Sequence, residues 1–165
     1  MTHHFAKLFK SIAVTAAASI VSFSAMAQAG NEKPDIHFVW MGGNDCPPCV
    51  MWRRIELPLL EKSDAFQSIT FTHVTKPVTQ SVPPAFFLPA AVKPYKAQLD
   101  AASAGVAGSP QAAILVNGEV FDYFHGTRTA EQIGQMVNSI ATGSKYPFPR
   151  CLKASTTWRK CETPA

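Results

Sequence analysis

The chain has 165 residues, of which 47% are hydrophobic and 16% charged, and this suits one domain with a sizeable buried core. Fifteen Lys and Arg against eleven Asp and Glu give a formal net charge of +4. This charge is mild and the basic residues form no extended run, so we do not expect a nucleic-acid-binding protein.

The N-terminal segment has the pattern of a secretory signal peptide. Lys7 and Lys10 precede an apolar run, Ser11 to Phe23, and no acidic residue occurs before Glu32. Ala25-Met26-Ala27 then supplies a small-x-small cleavage pattern, which predicts cleavage after the last of these residues. The apolar run is shorter than the roughly 20 residues of a membrane-spanning helix, so a signal peptide is favoured over an anchor.

Three regions follow from this reading: a signal peptide at 1–27, one domain at 28–143 and a C-terminal tail at 144–165. Cleavage leaves thirteen basic against eleven acidic residues, a net charge of +2. All four cysteines lie in the exported part, where disulfides persist. The short leader with early lysines favours a bacterial periplasm over a eukaryotic secretory route.

The first half of the domain reads as strand, helix, strand. Asp35 to Met41 is apolar on both faces, which predicts a strand buried within an α/β sheet. Two prolines suit the first turn of a helix that begins at Pro47 and runs to about Lys62, with Pro58 as a kink or early stop. Phe66 to Val74 alternates and predicts a second strand, parallel to the first because a helix connects them.

A proline-rich connection separates the two halves. Thr75 to Pro94 carries five prolines, and one helical turn is predicted around Ala85 to Leu88. Phe86, Phe87 and Leu88 could form an exposed partner patch, but core packing is the favoured prediction. Tyr95 to Ala102 then predicts a helix that Gly105 closes.

The second half reads as hairpin and helix. Asn117-Gly118 between the apolar runs Gln111 to Val116 and Glu119 to Phe124 predicts a tight hairpin turn, since both central residues must take positive φ. Thr129-x-x-Gln132 caps a final helix with an apolar stripe at helical spacing, and Gly143 ends it.

Two cysteines with two residues between them lie at the junction of the first predicted strand and the first predicted helix. Unpaired N–H groups at a helix start favour negative charge, so a thiol placed there ionises more easily. The thiolate is the attacking species in disulfide exchange, and a nearby second thiol can resolve the mixed disulfide. We therefore assign Cys46 as the nucleophile and Cys49 as the resolving thiol of a redox pair.

The Cys46-Pro47-Pro48-Cys49 motif, together with Gly108-Ser109-Pro110 before an apolar strand, resembles the thioredoxin-like superfamily over about Ile36 to Ile140. The resemblance implies an α/β fold with a central mixed β-sheet flanked by helices. It also implies that Pro110 is cis beside the cysteines and that Ser109 offers backbone groups to a bound partner segment. No organic cofactor or metal is expected.

The resemblance implies a thiol–disulfide oxidoreductase that acts on protein thiols and disulfides. A membrane or soluble redox partner must reset the cysteines after each cycle, and a monomer is expected. Pro48, directly before the second cysteine, is similar to thioredoxins and cytochrome-maturation reductases, whereas periplasmic oxidases of the family usually have histidine there. This comparison favours a reductase.

Two positions depart from the thioredoxin pattern. Asp45 precedes the first cysteine where thioredoxins have tryptophan, and Trp40 stands where they have a buried aspartate that helps to move protons. Glu56 could face the same way, but a solvated surface carboxylate is the favoured reading, so the proton carrier has no assignment. Arg53 and Arg54 are expected on a solvated helix face.

Alternatives from other classes stay open. The pair Cys46 and Cys49 could bind copper or zinc with a histidine or with Met41 or Met51, although His37 and His73 are each more typical of ordinary strand residues. The cysteine pair could also be a permanent bridge in a non-catalytic thioredoxin-like scaffold.

The tail carries the other two cysteines, Cys151 and Cys161. Nine residues separate them, which does not match zinc-ligand spacing. A structural disulfide that staples the tail is the favoured prediction, worth about 2–3 kcal/mol. A second redox pair that exchanges with Cys46 is the alternative.

Overall fold

A computed structural model describes residues 32–153. The predicted signal peptide and Cys161 lie outside these residues. The described part contains four strands and four α-helices in the order β1 (Ile36–Met41), α1 (Pro47–Glu61), α2 (Asp64–Gln67), β2 (Thr70–Val74), α3 (Lys96–Ser103), β3 (Gln111–Val116), β4 (Glu119–His125) and α4 (Ala130–Thr142).

The four strands form one mixed sheet in the order β2-β1-β3-β4. Strand β1 pairs in parallel with β2, as predicted, and antiparallel with β3, which in turn pairs antiparallel with β4. Helices α1 and α4 share one core cluster with β1, and α3 belongs to the cluster on the other face. This α/β architecture is compatible with the predicted thioredoxin-like fold.

Strand β1 is the centre of the core. All six of its residues are buried. Ile36, Phe38 and Trp40 belong to the cluster on the side of α1 and α4, while Val39 and Met41 belong to the cluster on the side of α3. This arrangement confirms the strand that the apolar sequence predicts, because side chains alternate between the two faces and both faces are covered.

The predicted hairpin and final helix are also confirmed. Asn117 and Gly118 have φ of 52° and 83°, the left-handed values that a two-residue turn of this kind requires. Thr129 and Gln132 form a reciprocal capping box at the start of α4. Gly143 ends α4 with φ of 66°, so glycine satisfies the left-handed C-terminal position.

The second strand differs from the prediction. Phe66 lies in α2, and β2 begins only at Thr70, because the Ser63 hydroxyl accepts the Phe66 N–H and starts a helical turn. Helix α1 begins at Pro47 and ends at Glu61, as predicted, and Pro58 lies inside it without stopping it early.

The proline-rich connection contains the predicted helical turn, at Ala85–Phe87. Core packing was the favoured prediction for the apolar triplet in this turn, and it is wrong for two of the three residues. Phe86 is 86% exposed and Phe87 68% exposed, whereas Leu88 is buried. The short turn directs only the last side chain toward the cluster of α3.

None of the helices within residues 32–153 combines the length and the apolar character needed to cross a membrane.

Candidate redox site

Cys46 and Cys49 form a disulfide with a Cα–Cα distance of 5.2 Å. Cys46 is the N-cap residue of α1, and its sulfur accepts the Cys49 N–H at 3.3 Å. The two prolines between the cysteines are exposed in the first helical turn, whereas Cys46 is only 1% exposed and Cys49 is fully buried. The first cysteine thus lies where the N–H groups of a 15-residue helix favour a thiolate.

Two glycines bring the end of β1 close to this disulfide. A β-carbon on Gly42 would lie 2.8 Å from the Cys49 sulfur and 2.7 Å from Cη2 of Trp40. A β-carbon on Gly43 would collide with the carbonyl oxygen of Lys76 and lie 2.5 Å from Oδ1 of Asp45. Any side chain at either position would clash with its neighbours, so both positions require glycine.

The Ser109–Pro110 peptide bond is cis, which confirms the prediction for Pro110. Met41 at the end of β1 pairs with Gln111 at the start of β3, so Gly42, which follows Met41, and Pro110, which precedes Gln111, lie at the same end of the sheet. Since Gly42 packs on the Cys49 sulfur, the proline loop and the disulfide share this end of the sheet.

Ser109 and Pro110 are both buried. The Pro110 carbonyl accepts the Gly126 N–H at 2.9 Å, so the loop after β4 fixes the proline loop from the other side. The Ser109 hydroxyl is buried and has no hydrogen-bond partner among residues 32–153.

The charged residues next to the disulfide hold the turn before α1. Arg53 donates to Oδ1 of Asn44 at 2.6 Å and to the Gly43 carbonyl at 3.4 Å, and Oδ2 of Asp45 accepts the Val78 N–H at 3.0 Å. The prediction of a solvated face is wrong for Arg53, which is half-buried because it reaches back over this turn. It is correct for Arg54, which is exposed.

Two tryptophans fill the space under the disulfide. The Trp40 and Trp52 rings stack with centroids 4.7 Å apart at an angle of 14°. The indole N–H of Trp52 donates to the Arg128 carbonyl at 2.7 Å, which connects α1 to the loop before α4. Trp40 therefore supplies packing where a thioredoxin has a carboxylate.

Glu56 does not serve as a solvated surface carboxylate. Its Oε2 accepts the Ala130 N–H at 2.8 Å, at the start of α4. The favourable position of a carboxylate at a helix N-terminus explains this contact. The structure thus gives Glu56 a role in joining two helices.

The two strand histidines are hydrogen-bonded residues of the sheet. Nε2 of His37 lies 2.9 Å from the Thr72 hydroxyl, and Nε2 of His73 lies 3.1 Å from the Gly42 carbonyl. Burial lowers the pKa of both rings. Of the methionines considered as ligands, Met41 is buried and Met51 exposed. Within residues 32–153, no group of three or more His, Cys, Asp or Glu could hold a metal ion.

Two titratable residues near the site, the buried Lys76 and the half-buried His125, were not predicted from the sequence. Lys76 is 1% exposed, and burial lowers its pKa to about 8. His125 pairs with Gln111 in the sheet, and burial together with the positive charge of Lys76 lowers its pKa to about 4. Neither residue belongs to a recognisable motif. The one sequence signal for Lys76 is its position, just after a predicted strand and directly before Pro77.

A shallow groove lies beside the disulfide, between α1 and the loop before α4. Pro48, Met51 and Ile55 form its apolar wall, and Thr127 and Arg128 lie on the opposite side. Met51 and Ile55 are about half exposed, one helical turn apart. This groove was not predictable from the sequence, because its opposite wall comes from a loop distant along the chain.

The first part of the tail packs against β4. The Tyr123 N–H donates to the Cys151 carbonyl at 2.6 Å, and the Cys151 N–H donates to Oδ1 of Asp122 at 2.8 Å. Tyr146 donates to the other oxygen of the same carboxylate. Burial raises the pKa of Asp122. The predicted Cys151–Cys161 disulfide remains a prediction, because its second member lies outside the described residues.

No protein-family model matches this chain, and no curated protein matches it in sequence. The structure itself shows a close Cys46–Cys49 pair in an α/β fold, and this pair fits a redox or a metal-binding role.

Proposed function

We propose that the protein is an exported thiol–disulfide oxidoreductase of thioredoxin-like fold. The observation that carries the proposal is the disulfide at the N-terminus of α1 with the cis Ser109–Pro110 loop at the same end of the sheet. A helix start supports the thiolate that exchange requires, and the adjacent loop offers backbone groups to an extended partner segment. Export rests on the signal-peptide pattern at 1–27.

In the reductive direction, the Cys46 thiolate attacks one sulfur of a partner disulfide. A bond forms between Cys46 and that sulfur, and the other partner sulfur leaves as a thiolate that takes a proton. The Cys49 thiolate then attacks the Cys46 sulfur and releases the second partner thiolate. Two electrons pass to the partner, and the protein keeps the Cys46–Cys49 disulfide until a redox partner reduces it.

The testing experiment is the reduction potential of the Cys46–Cys49 pair in dithiothreitol and glutathione buffers. A variant with Cys151→Ser and Cys161→Ser isolates the pair. A potential of about −270 mV supports a thioredoxin-like reductant, and one of about −120 mV reverses the direction to an oxidant. If no buffer in this range reduces the pair, the oxidoreductase proposal fails.

One observation favours a second candidate, a scaffold with a permanent bridge: Cys46 is 1% exposed. Exchange requires that an incoming sulfur reach a cysteine, so a bridge that never opens would be inert. Structural disulfides have potentials below about −300 mV, and mild dithiothreitol would leave such a bridge oxidised. The same experiment therefore distinguishes the two functions.

Metal binding is tested on the reduced protein. Titration with copper(I) or zinc should show no tight binding if the pair serves exchange alone. Tight binding that Cys46→Ser abolishes would instead support the metal-binding candidate.

Export is tested by fractionating bacterial cells that express the full chain. The mass of the mature protein is then measured by mass spectrometry, and its N-terminus should be Gln28.

A further inference from the structure

Lys76 is a buried cation that belongs to the loops around the disulfide. Its side chain is 1% exposed, and its ammonium donates to the Gly108 carbonyl at 2.5 Å and to the Gln80 carbonyl at 2.7 Å. A buried ammonium costs free energy unless polar groups surround it. Lys76 therefore occupies a specific site rather than a solvated surface.

The segment that begins at Lys76 connects the two loops of the candidate redox site. Val78 accepts the Gly108 N–H at 2.8 Å through its carbonyl and donates its own N–H to Oδ2 of Asp45 at 3.0 Å. Gly108 directly precedes Ser109–Pro110, and Asp45 directly precedes Cys46. Through Lys76 and Val78, the segment thus contacts both sides of the site.

The charges that face Lys76 come from two other parts of the fold. Asp45 lies close enough to raise its pKa, which opposes the lowering by burial. His125 on β4 is also within electrostatic reach, since the positive charge of Lys76 adds to burial in lowering the pKa of its ring. His125 is therefore neutral near pH 7, and the ammonium remains charged and hydrogen-bonded to the two carbonyls.

We propose that Lys76 is a positioning residue, whose ammonium holds Gly108 so that the Ser109–Pro110 loop stays at a fixed place relative to Cys46 while a partner chain binds along it. This inference rests on the proposed function. A hydrogen bond from a cation to a carbonyl is stronger than one between neutral groups. The positive charge of Lys76 therefore strengthens its hydrogen bond to the Gly108 carbonyl. The geometry of a bound partner disulfide should depend on Lys76, whereas the chemistry of the thiolate should not.

The test compares two disulfides of different size. Reduced protein is mixed with insulin, which must lie along the loop, or with 5,5′-dithiobis(2-nitrobenzoate), which reaches a thiolate without it. Single-turnover rates are measured by acid quench and alkylation. Lys76→Met should lower the second-order rate constant with insulin by about tenfold, mainly because a higher insulin concentration is needed for saturation. It should change the rate constant with the small disulfide less than about twofold.

Lys93→Met is the matched control, because Lys93 is exposed and distant in sequence from both loops. It should leave both rates unchanged. Equal slowing of both reactions by Lys76→Met would overturn the positioning role, and so would unchanged rates with both substrates. If the wild type reacts with neither disulfide, the proposed function fails instead, which keeps the two failures distinct.

A measurement on the wild type covers the case in which Lys76→Met does not fold. The ratio of the insulin rate to the small-disulfide rate cancels the thiolate fraction, which is common to both reactions. As the pH rises through about 8, Lys76 loses its charge and the ratio should fall. A ratio that stays constant from pH 7 to pH 9.5 would contradict the inference.

Discussion

Gly42 and the Cys49 sulfur are in such close contact that a β-carbon at this glycine would lie 2.8 Å from the sulfur. The same β-carbon would lie 2.7 Å from the Trp40 ring. Strand β1 can therefore end directly against the disulfide only because residue 42 has no side chain.

The first prediction is that Gly42→Ala destabilises the oxidised protein by about 1–3 kcal/mol, because the added methyl overpacks the core between Trp40 and Cys49. Urea unfolding measures the change. Gly134→Ala is the control, since a β-carbon there would meet only Ala65 Cβ, at 3.9 Å. Alanine in this helix should stabilise by about 0.5–1 kcal/mol. Equal effects of both substitutions would contradict the packing argument.

The second prediction concerns the order of the two cysteines. Cys49→Ser should trap a mixed disulfide between Cys46 and a substrate protein, since the resolving thiol is missing. Cys46→Ser should trap much less, because Cys49 lies inside α1, whereas Cys46 is the N-cap residue, where the helix N–H groups favour a thiolate. Non-reducing electrophoresis after incubation with insulin measures the trapped species. More trapping by Cys46→Ser would reverse the assignment.

The third prediction follows from the half-buried His125, because burial and the charge of Lys76 lower its pKa to about 4 from an ordinary value of 6.5. The unfolded chain binds a proton at higher pH than the folded one, so stability present above pH 6.5 is lost as the pH falls toward 4. The slope from this residue is at most about 1.4 kcal/mol per pH unit.

Urea unfolding at pH 7, 5.5 and 4.5 measures this effect, and His125→Asn should reduce the loss. Part of the loss should remain, because burial also lowers the pKa of His37 and His73. An identical pH dependence in wild type and variant would contradict the prediction.

The fourth prediction separates a structural from a catalytic Glu56. Glu56→Ala should cost about 1 kcal/mol of stability, because the Ala130 N–H loses its acceptor at the start of α4. Glu56→Gln keeps an acceptor and should cost less. Glu61→Ala, an exposed residue at the end of α1, serves as the control. If Glu56→Gln abolished disulfide exchange while the protein stayed folded, Glu56 would be the proton carrier.

The elements with strong local signals were predictable from sequence. The hairpin at Asn117-Gly118 follows from backbone sterics, and the ends of α4 follow from its capping residues. The cis bond before Pro110 came from the resemblance, because X–Pro geometry allows both isomers and sequence alone does not choose.

The features that depend on tertiary contacts were not predictable in this way. Alternation of apolar residues extended β2 back to Phe66, but a side-chain cap at Ser63 starts a helix there. The burial of Lys76 depends on carbonyls 4 and 32 residues away along the chain. A pattern read along one segment contains no information about such distant partners.

The stacked tryptophans give the protein an optical reporter of its own. The Trp40 ring and the Cys49 sulfur both lie within 3 Å of the point where a Gly42 β-carbon would stand, so indole and disulfide are close neighbours. A disulfide quenches the emission of an indole beside it. Intrinsic fluorescence should therefore increase when the Cys46–Cys49 bond is reduced, and the oxidation state can be followed in solution without any added label.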